Sequence, residues 1–138
     1  MMVVVDTPVW SLALRRRVAD LSAHERHLTR NLYELIQEGR VQLLGSTRQE
    51  ILSGIREETQ FHMIREYLRA FENVALTADD YETAAQMSNQ CRRSGIASSA
   101  ADMLIYAVSG RRHWQILSTD RDFIHYARVL HLPLLSLS

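Results

Sequence analysis

The architecture of this protein follows from one segment near its start, Val3-Val4-Val5-Asp6-Thr7-Pro8-Val9-Trp10. Three consecutive β-branched residues predict a short strand that is buried on both faces, as the strands of parallel sheets are. Asp6 and Pro8 then predict the start of a helix, because aspartate is a preferred N-cap and proline fits the first turn. A strand that leads directly into a helix is the first half of a βαβ unit.

The same alternation continues along the chain. Short apolar runs predict four further strands, of which the second and the last are brief: 41–44, 74–76, 115–118 and 134–135. Strands that alternate with helices imply a parallel sheet with helices on both of its faces. The sequence therefore predicts an α/β fold.

The intervening helices have recognisable starts. Ser22 with Glu25 and Thr77 with Asp80 form capping boxes, in which each residue of the pair satisfies a backbone N–H of the other. The helix that follows Ser99 is apolar on nearly all sides, and a helix of this kind is expected at the centre of a fold.

Length and composition favour a single domain over residues 1–138. The one cysteine, Cys91, excludes an internal disulfide and is typical of a reducing cytoplasm. No apolar run approaches the ~20 residues of a membrane span, so we expect a cytoplasmic protein. The net charge is zero, but all sixteen cationic side chains are arginine, and several stand in clusters. Arginine suits phosphate contacts, although codon bias in a GC-rich genome is the better explanation of the missing lysine.

Acidic residues stand beside the apolar runs. In a parallel sheet, strand carboxyl ends and the starts of the neighbouring helices lie along one edge, so we expect these residues to share it. They are Asp6, Glu50, Asp102, Asp120 and Asp122. Singly, each has an ordinary explanation, as a helix cap or a favourable charge near a helix start. Two carboxylates ~4 Å apart repel by about 4 kcal/mol at an effective dielectric of about 20, which exceeds the benefit of a cap. A divalent cation among them is the better explanation.

Oxygen ligands favour Mg²⁺ or Mn²⁺. The sequence contains no HExxH and no CxxC motif, so a zinc site is not expected. It also lacks a glycine-rich phosphate loop, a GxGxxG motif and a GxSxG elbow.

Four segments, in order and over essentially the whole chain, resemble the motifs of PIN-domain nucleases, above all the VapC-type toxins of prokaryotic toxin–antitoxin pairs. They are Val3-Val4-Val5-Asp6-Thr7-Pro8-Val9-Trp10, Arg48-Gln49-Glu50-Ile51-Leu52-Ser53-Gly54, Ser99-Ala100-Ala101-Asp102-Met103-Leu104-Ile105 and Leu117-Ser118-Thr119-Asp120-Arg121-Asp122-Phe123. The resemblance implies a PIN-like three-layer α/β/α sandwich with a short central parallel sheet of four or five strands.

The resemblance also implies a Mg²⁺-dependent endoribonuclease, in which Mn²⁺ substitutes and a metal-activated water cleaves the phosphodiester bond. Asp6, Asp102 and Asp120 match family ligands of one metal ion. Glu50 and Asp122 match positions that bind a second ion or orient water; Glu50 also belongs to the family's catalytic acidic quartet with the three aspartates.

Three further positions bear on the resemblance. Ser118 stands where the family usually has Thr or Ser. Two positions depart from the family: Pro8 replaces a common Ser or Asn, and Tyr106 stands where the family often has Ala. Neither departure removes a metal ligand, so we expect an active enzyme.

Phosphate contacts are predicted for four arginines: Arg15, Arg16, Arg92 and Arg121. The expected partners are an RNA substrate, a cognate VapB-like antitoxin and a second copy of the chain in a homodimer. Two alternatives stay open: a PIN-fold nuclease that processes RNA outside toxin–antitoxin systems, and an inactive PIN-like binding module.

Overall fold

The computed structural model describes residues 1–131 and 135, without the side chains of residues 120, 122 and 123. Three strands form the sheet: β1 (Val3–Val5), β2 (Val41–Gln42) and β3 (Gln115–Leu117). A 3-10 helix spans Val18–Asp20. The α-helices are α1 (Thr7–Arg15), α2 (Ala23–Gln37), α3 (Gly45–Leu52), α4 (Glu58–Leu68), α5 (Ala78–Arg93), α6 (Ala100–Arg112) and α7 (Asp120–Ala127).

The sheet is parallel, and its strands lie in the order β2-β1-β3. The predicted count of four or five strands is wrong for the residues described, which contain three. No strand forms at 74–76: the preceding residue, Asn73, makes a single parallel bridge with Leu43, and the backbone N–H of Val74 donates to the Leu43 carbonyl at 2.9 Å. The chain then turns into the N-terminus of α5. Of the last predicted strand, Leu134 lies outside the described residues, and the backbone N–H of Leu135 donates to the Ile116 carbonyl at 2.8 Å.

Helices cover both faces of the sheet, as the sequence predicts. In β1, Val3 and Val5 pack on one face in a core with residues of α1 to α4, and Val4 packs on the other with residues of α5 to α7. Consecutive strand residues point to opposite faces, so the three valines are buried in two different layers of core. This is the three-layer α/β/α sandwich that the resemblance implies.

The predicted helix starts are also found. Both capping boxes, Ser22 with Glu25 and Thr77 with Asp80, have both of their hydrogen bonds. The central position predicted for α6 is confirmed, because the segment 105–109 within it is entirely buried. Among the described residues, no helix is both long and apolar enough to cross a bilayer.

Candidate active site

The adjacent strands β1 and β3 bring Asp6 and Ser118 together. Val5 of β1 aligns with Leu117 of β3, and the backbone N–H of Asp6 donates to the Leu117 carbonyl at 3.0 Å. The Ser118 hydroxyl in turn donates to Oδ2 of Asp6. Asp6 occupies the N-cap position of α1, yet its side chain makes no capping hydrogen bond. Its carboxylate, 2 % exposed, is therefore not explained as a helix cap.

The position of Asp6 in the sheet is the one at which α/β proteins bind ligands. The chain passes from β1 to β2 on one side and reaches β3 on the other, so the strand order reverses between β1 and β3. The crevice at the carboxyl ends of strands on either side of such a reversal is the usual ligand site. Asp6 and Ser118 are the residues that immediately follow these two strands.

Glu50 and Asp102 lie on two other helices, and the charge of one acts on the other. The side chain of Glu50 is exposed, yet its pKa is raised above the ordinary value of 4.5. The main cause is partial loss of hydration, and the second is the nearby charge of Asp102. Glu50 is the sixth residue of α3. The helix dipole acts mainly within the first turn, so it does not account for Glu50. The charge of Asp102 therefore acts on Glu50, and the dipole of α3 gives Glu50 no compensation.

Asp102 lies in the first turn of α6, where its backbone N–H donates to the Ser99 hydroxyl at 3.0 Å. Its carboxylate contacts a different helix: the hydroxyl of Tyr126 in α7 donates to Oδ2 of Asp102 at 3.0 Å. The sequence did not predict this contact. A tyrosine on the apolar face of a helix was the available signal, because a buried phenol usually finds a hydrogen-bond partner.

Asp120 and Asp122 belong to the first turn of α7, directly after Ser118 and Thr119, and their side chains lie outside the described residues. In the part of the chain that is described, no three His, Cys, Asp or Glu side chains are close enough together to hold a metal ion. Asp6 lies beside the end of β3, and the charge of Asp102 is near enough to act on Glu50. These carboxylates are hard oxygen donors, so their chemistry fits Mg²⁺ or Mn²⁺.

Three of the four arginines predicted to contact phosphate share one cleft of about 760 Å³. Arg15, Arg16 and Arg121 line it, and so do Pro8 and Thr119, each within two residues of a site aspartate. The cleft therefore places positive charge next to the acidic edge, which suits a polyanion that crosses the site.

The other clustered arginines lie elsewhere. Arg92 lines a separate cleft of about 390 Å³ beside the start of α6, and it donates to the side chain of Asn89 at 3.0 Å. Arg111 and Arg112 contact the buried carboxylate of Asp80, at 3.3 Å and 2.8 Å respectively. This last pair is structural, because it neutralises a charge inside the protein.

Arg48, which precedes Glu50 in the second motif, fixes α3 to the end of α4. Its guanidinium donates to the Leu68 carbonyl at 2.9 Å, to the Phe71 carbonyl and to the Asn73 side chain at 2.9 Å. Sequence reasoning missed this role, since three separate acceptors on one loop cannot be inferred from spacing. The contacts hold the helix that carries Glu50.

Comparison with known proteins agrees with this architecture. The family model of the PIN domain matches residues 3–129. FitAcB from Neisseria gonorrhoeae is similar in fold, with a TM-score of 0.71 and 19 % identity over 98 % of this chain and 97 % of that one. VapBC2 from Rickettsia felis, bound to a DNA fragment from its promoter, has a TM-score of 0.73 and 14 % identity over 98 % of each chain. DNA-bound VapBC from Salmonella typhimurium has a TM-score of 0.71 and 12 % identity over 100 % of this chain and 99 % of that one. No curated protein matches this sequence. The family match extends from β1 into the residues that follow α7, and this chain belongs to the PIN domain family.

Proposed function

We propose that this protein is a Mg²⁺-dependent endoribonuclease and the toxin of a VapBC-like toxin–antitoxin system. The observation that carries the proposal is the buried carboxylate of Asp6, which Ser118 holds where the strand order reverses. The charge of Asp102, on another helix, acts on Glu50 and adds support. Repulsion between Glu50 and Asp102 disfavours the arrangement unless a cation offsets it. Membership of the PIN domain family agrees with a nuclease.

In this proposal Asp6, Asp102 and Asp120 would hold one cation, and Glu50 and Asp122 would hold a second or orient water. When bound, such a cation supplies positive charge that stabilises the transition state and makes water a better nucleophile. Mn²⁺ substitutes for Mg²⁺, because both prefer oxygen ligands.

The protein's own side chains position these groups and the substrate. Ser118 donates to one oxygen of Asp6 and so fixes the orientation of that carboxylate. Arg15, Arg16 and Arg121 bind phosphates on one side of the scissile bond, since they line the adjoining cleft. Attack by water in line with the leaving group gives a 5′-phosphate and a 3′-hydroxyl, without use of the RNA 2′-hydroxyl.

The proposed partners are RNA, a cognate VapB-like antitoxin and a second copy of the chain, and the proposed compartment is the cytoplasm. Two of the similar structures are VapBC complexes, which supports an antitoxin partner. The buried free thiol of Cys91 agrees with a reducing compartment.

The test is cleavage of total RNA by the purified protein in Mg²⁺ and in excess EDTA. We expect cleavage only with Mg²⁺, and none from Asp6→Asn or Asp102→Asn, because each removes a proposed ligand. Asp79→Asn is the matched control, since Asp79 has an exposed side chain on α5. Circular dichroism checks that the variants are folded. Equal cleavage by wild type and both variants would refute the ligand assignment, and an inactive wild type would favour the binding module.

A further inference from the structure

Tyr126 joins the last helix to a proposed metal ligand. Its hydroxyl donates to Oδ2 of Asp102 at 3.0 Å, and Tyr126 is only 8 % exposed. A hydrogen bond to a charged group is shorter and stronger than one between neutral groups, and it gains further where water is excluded. The contact therefore restrains the Asp102 carboxylate.

The ring of Tyr126 is itself held in place. It contacts the ring of Tyr106 edge to face, with centroids 5.2 Å apart and planes inclined at 60°. Tyr106 is 1 % exposed and lies four residues after Asp102 in α6, so both project from the same side of that helix. Tyr106 is also the position at which this chain departs from the alanine common in VapC-type toxins. Here the larger ring supports Tyr126.

The two contacts together restrain the orientation of the Asp102 carboxylate. Tyr126 donates to Oδ2, and because both oxygens turn about the same bond, the hydrogen bond also restrains the direction of Oδ1. The bond also ties the first turn of α6 to α7, the helix that begins at Asp120. Groups that hydrogen-bond to a metal-ligating side chain orient it, and their loss typically weakens metal binding or activity by about 10- to 100-fold.

We propose that Tyr126 is a positioning residue which, supported by the ring of Tyr106, holds Asp102 in the orientation that binds the divalent cation. The inference rests on the proposed function, because it assumes that Asp102 is a metal ligand. It assigns to this chain a tyrosine pair that the four sequence motifs do not include.

Tyr126→Phe tests the proposal, because it keeps the supported ring and removes only the hydroxyl. Tyr33→Phe is the matched control: the Tyr33 hydroxyl also makes a 3.0 Å hydrogen bond, to the Ala13 carbonyl, away from Asp102. Calorimetric titration of each metal-free protein with Mn²⁺ and with Mg²⁺ gives the Kd. We expect Tyr126→Phe to raise the Kd for each cation by about 10-fold or more, and Tyr33→Phe to leave the Kd unchanged.

RNA cleavage against Mg²⁺ concentration is the second readout. For Tyr126→Phe, the Mg²⁺ concentration at half-maximal rate should rise by a similar factor, and saturating Mg²⁺ should restore most of the rate. A purely structural hydroxyl would lower the Tm without moving the Kd.

The outcomes separate the two proposals. A wild-type protein that binds no divalent cation refutes the proposed function and this inference together. A wild type that binds the cation, with Tyr126→Phe binding it equally well or both variants weakened alike, refutes the role of Tyr126 alone.

Discussion

Two buried carboxylates at the residue scale illustrate opposite uses of charge. Asp80 contacts the guanidinium groups of Arg112 and Arg111 and accepts a hydrogen bond from the backbone N–H of Thr77. These contacts hold the pKa of Asp80 far below its ordinary range. Asp6 accepts instead from the neutral hydroxyl of Ser118, at the edge where the strand order reverses. The first arrangement stabilises the fold, and the second, in the proposed function, orients a ligand of the cation.

Glu50→Gln should raise the Tm of the metal-free protein at pH 7, because it removes a charge that partial loss of hydration and the nearby charge of Asp102 both disfavour. Because water screens the exposed side chain, we expect the free energy of unfolding to rise by about 0.5 kcal/mol. For a chain of this size that corresponds to a rise in Tm of about 2 °C. The folded-state pKa of Glu50 lies above 4.5, so its protonated form favours the fold at low pH, and that stabilisation is lost as the pH rises through the folded-state pKa.

The difference in Tm between Glu50→Gln and wild type should therefore disappear below about pH 4. Differential scanning calorimetry in EDTA from about pH 3.5 to about pH 8 measures this difference. Glu82→Gln, at an exposed position of α5, is the control and should change the Tm little at any pH. A wild-type Tm at pH 7 equal to or above that of Glu50→Gln would contradict the crowding of Glu50 and Asp102.

At the scale of elements, α5 and α6 form the most extensive helix pair, and Asp80 lies at their junction. Its carboxylate caps α5 through the Thr77 backbone and binds Arg111 and Arg112, which lie in the last turn of α6. The N-terminus of one helix is thereby attached to the C-terminus of the other.

Asp80→Ala should destabilise the protein by about 3 kcal/mol, since it leaves two arginines without their buried partner and removes a cap. Urea unfolding followed by circular dichroism measures the loss. Asp79→Asn is the control, because the Asp79 side chain is 75 % exposed and lies 3.7 Å from Arg111. Its cost should stay below about 0.5 kcal/mol. Equal effects of the two substitutions would show that Asp80 contributes no more than a surface ion pair.

The contacts of Asp80 also make the stability of the protein depend on pH. Asp80 has a strongly lowered folded-state pKa, so its stabilisation is complete above the ordinary value of 3.8 and is lost as the pH falls below it. In acid, wild type should approach the stability of Asp80→Ala.

For the whole molecule, the proposed cation site predicts coupling between cation binding and folding. A cation that binds only the folded state stabilises it by about 2.7 kcal/mol when its concentration exceeds the Kd a hundredfold. Mg²⁺ or Mn²⁺ should therefore raise the Tm of wild type, and EDTA should reverse the rise. Asp6→Asn and Asp102→Asn should respond much less, which differential scanning calorimetry will measure. An equal rise in all three proteins would place the cation elsewhere.

The sequence by itself determined the features that depend on neighbours along the chain. The valine run of β1, the capping boxes at Ser22 and Thr77, and the apolar surface of α6 are local patterns, and each of these elements is found where the pattern predicts it. The closeness of Asp6 to the end of β3 could also be predicted, because parallel strands place their carboxyl ends on one side of a sheet. That all five acidic residues share this edge stays a prediction.

Only the tertiary structure decided which distant side chains touch. The bond between Tyr126 and Asp102, the contacts of Arg111 and Arg112 with Asp80, and the single bridge in place of a strand at 74–76 all depend on how helices and loops pack. Such contacts join residues more than twenty positions apart, and periodicity and spacing contain no information about that distance. Packing of the two cores against the sheet fixes them, because close-packed interiors leave each side chain few places to lie.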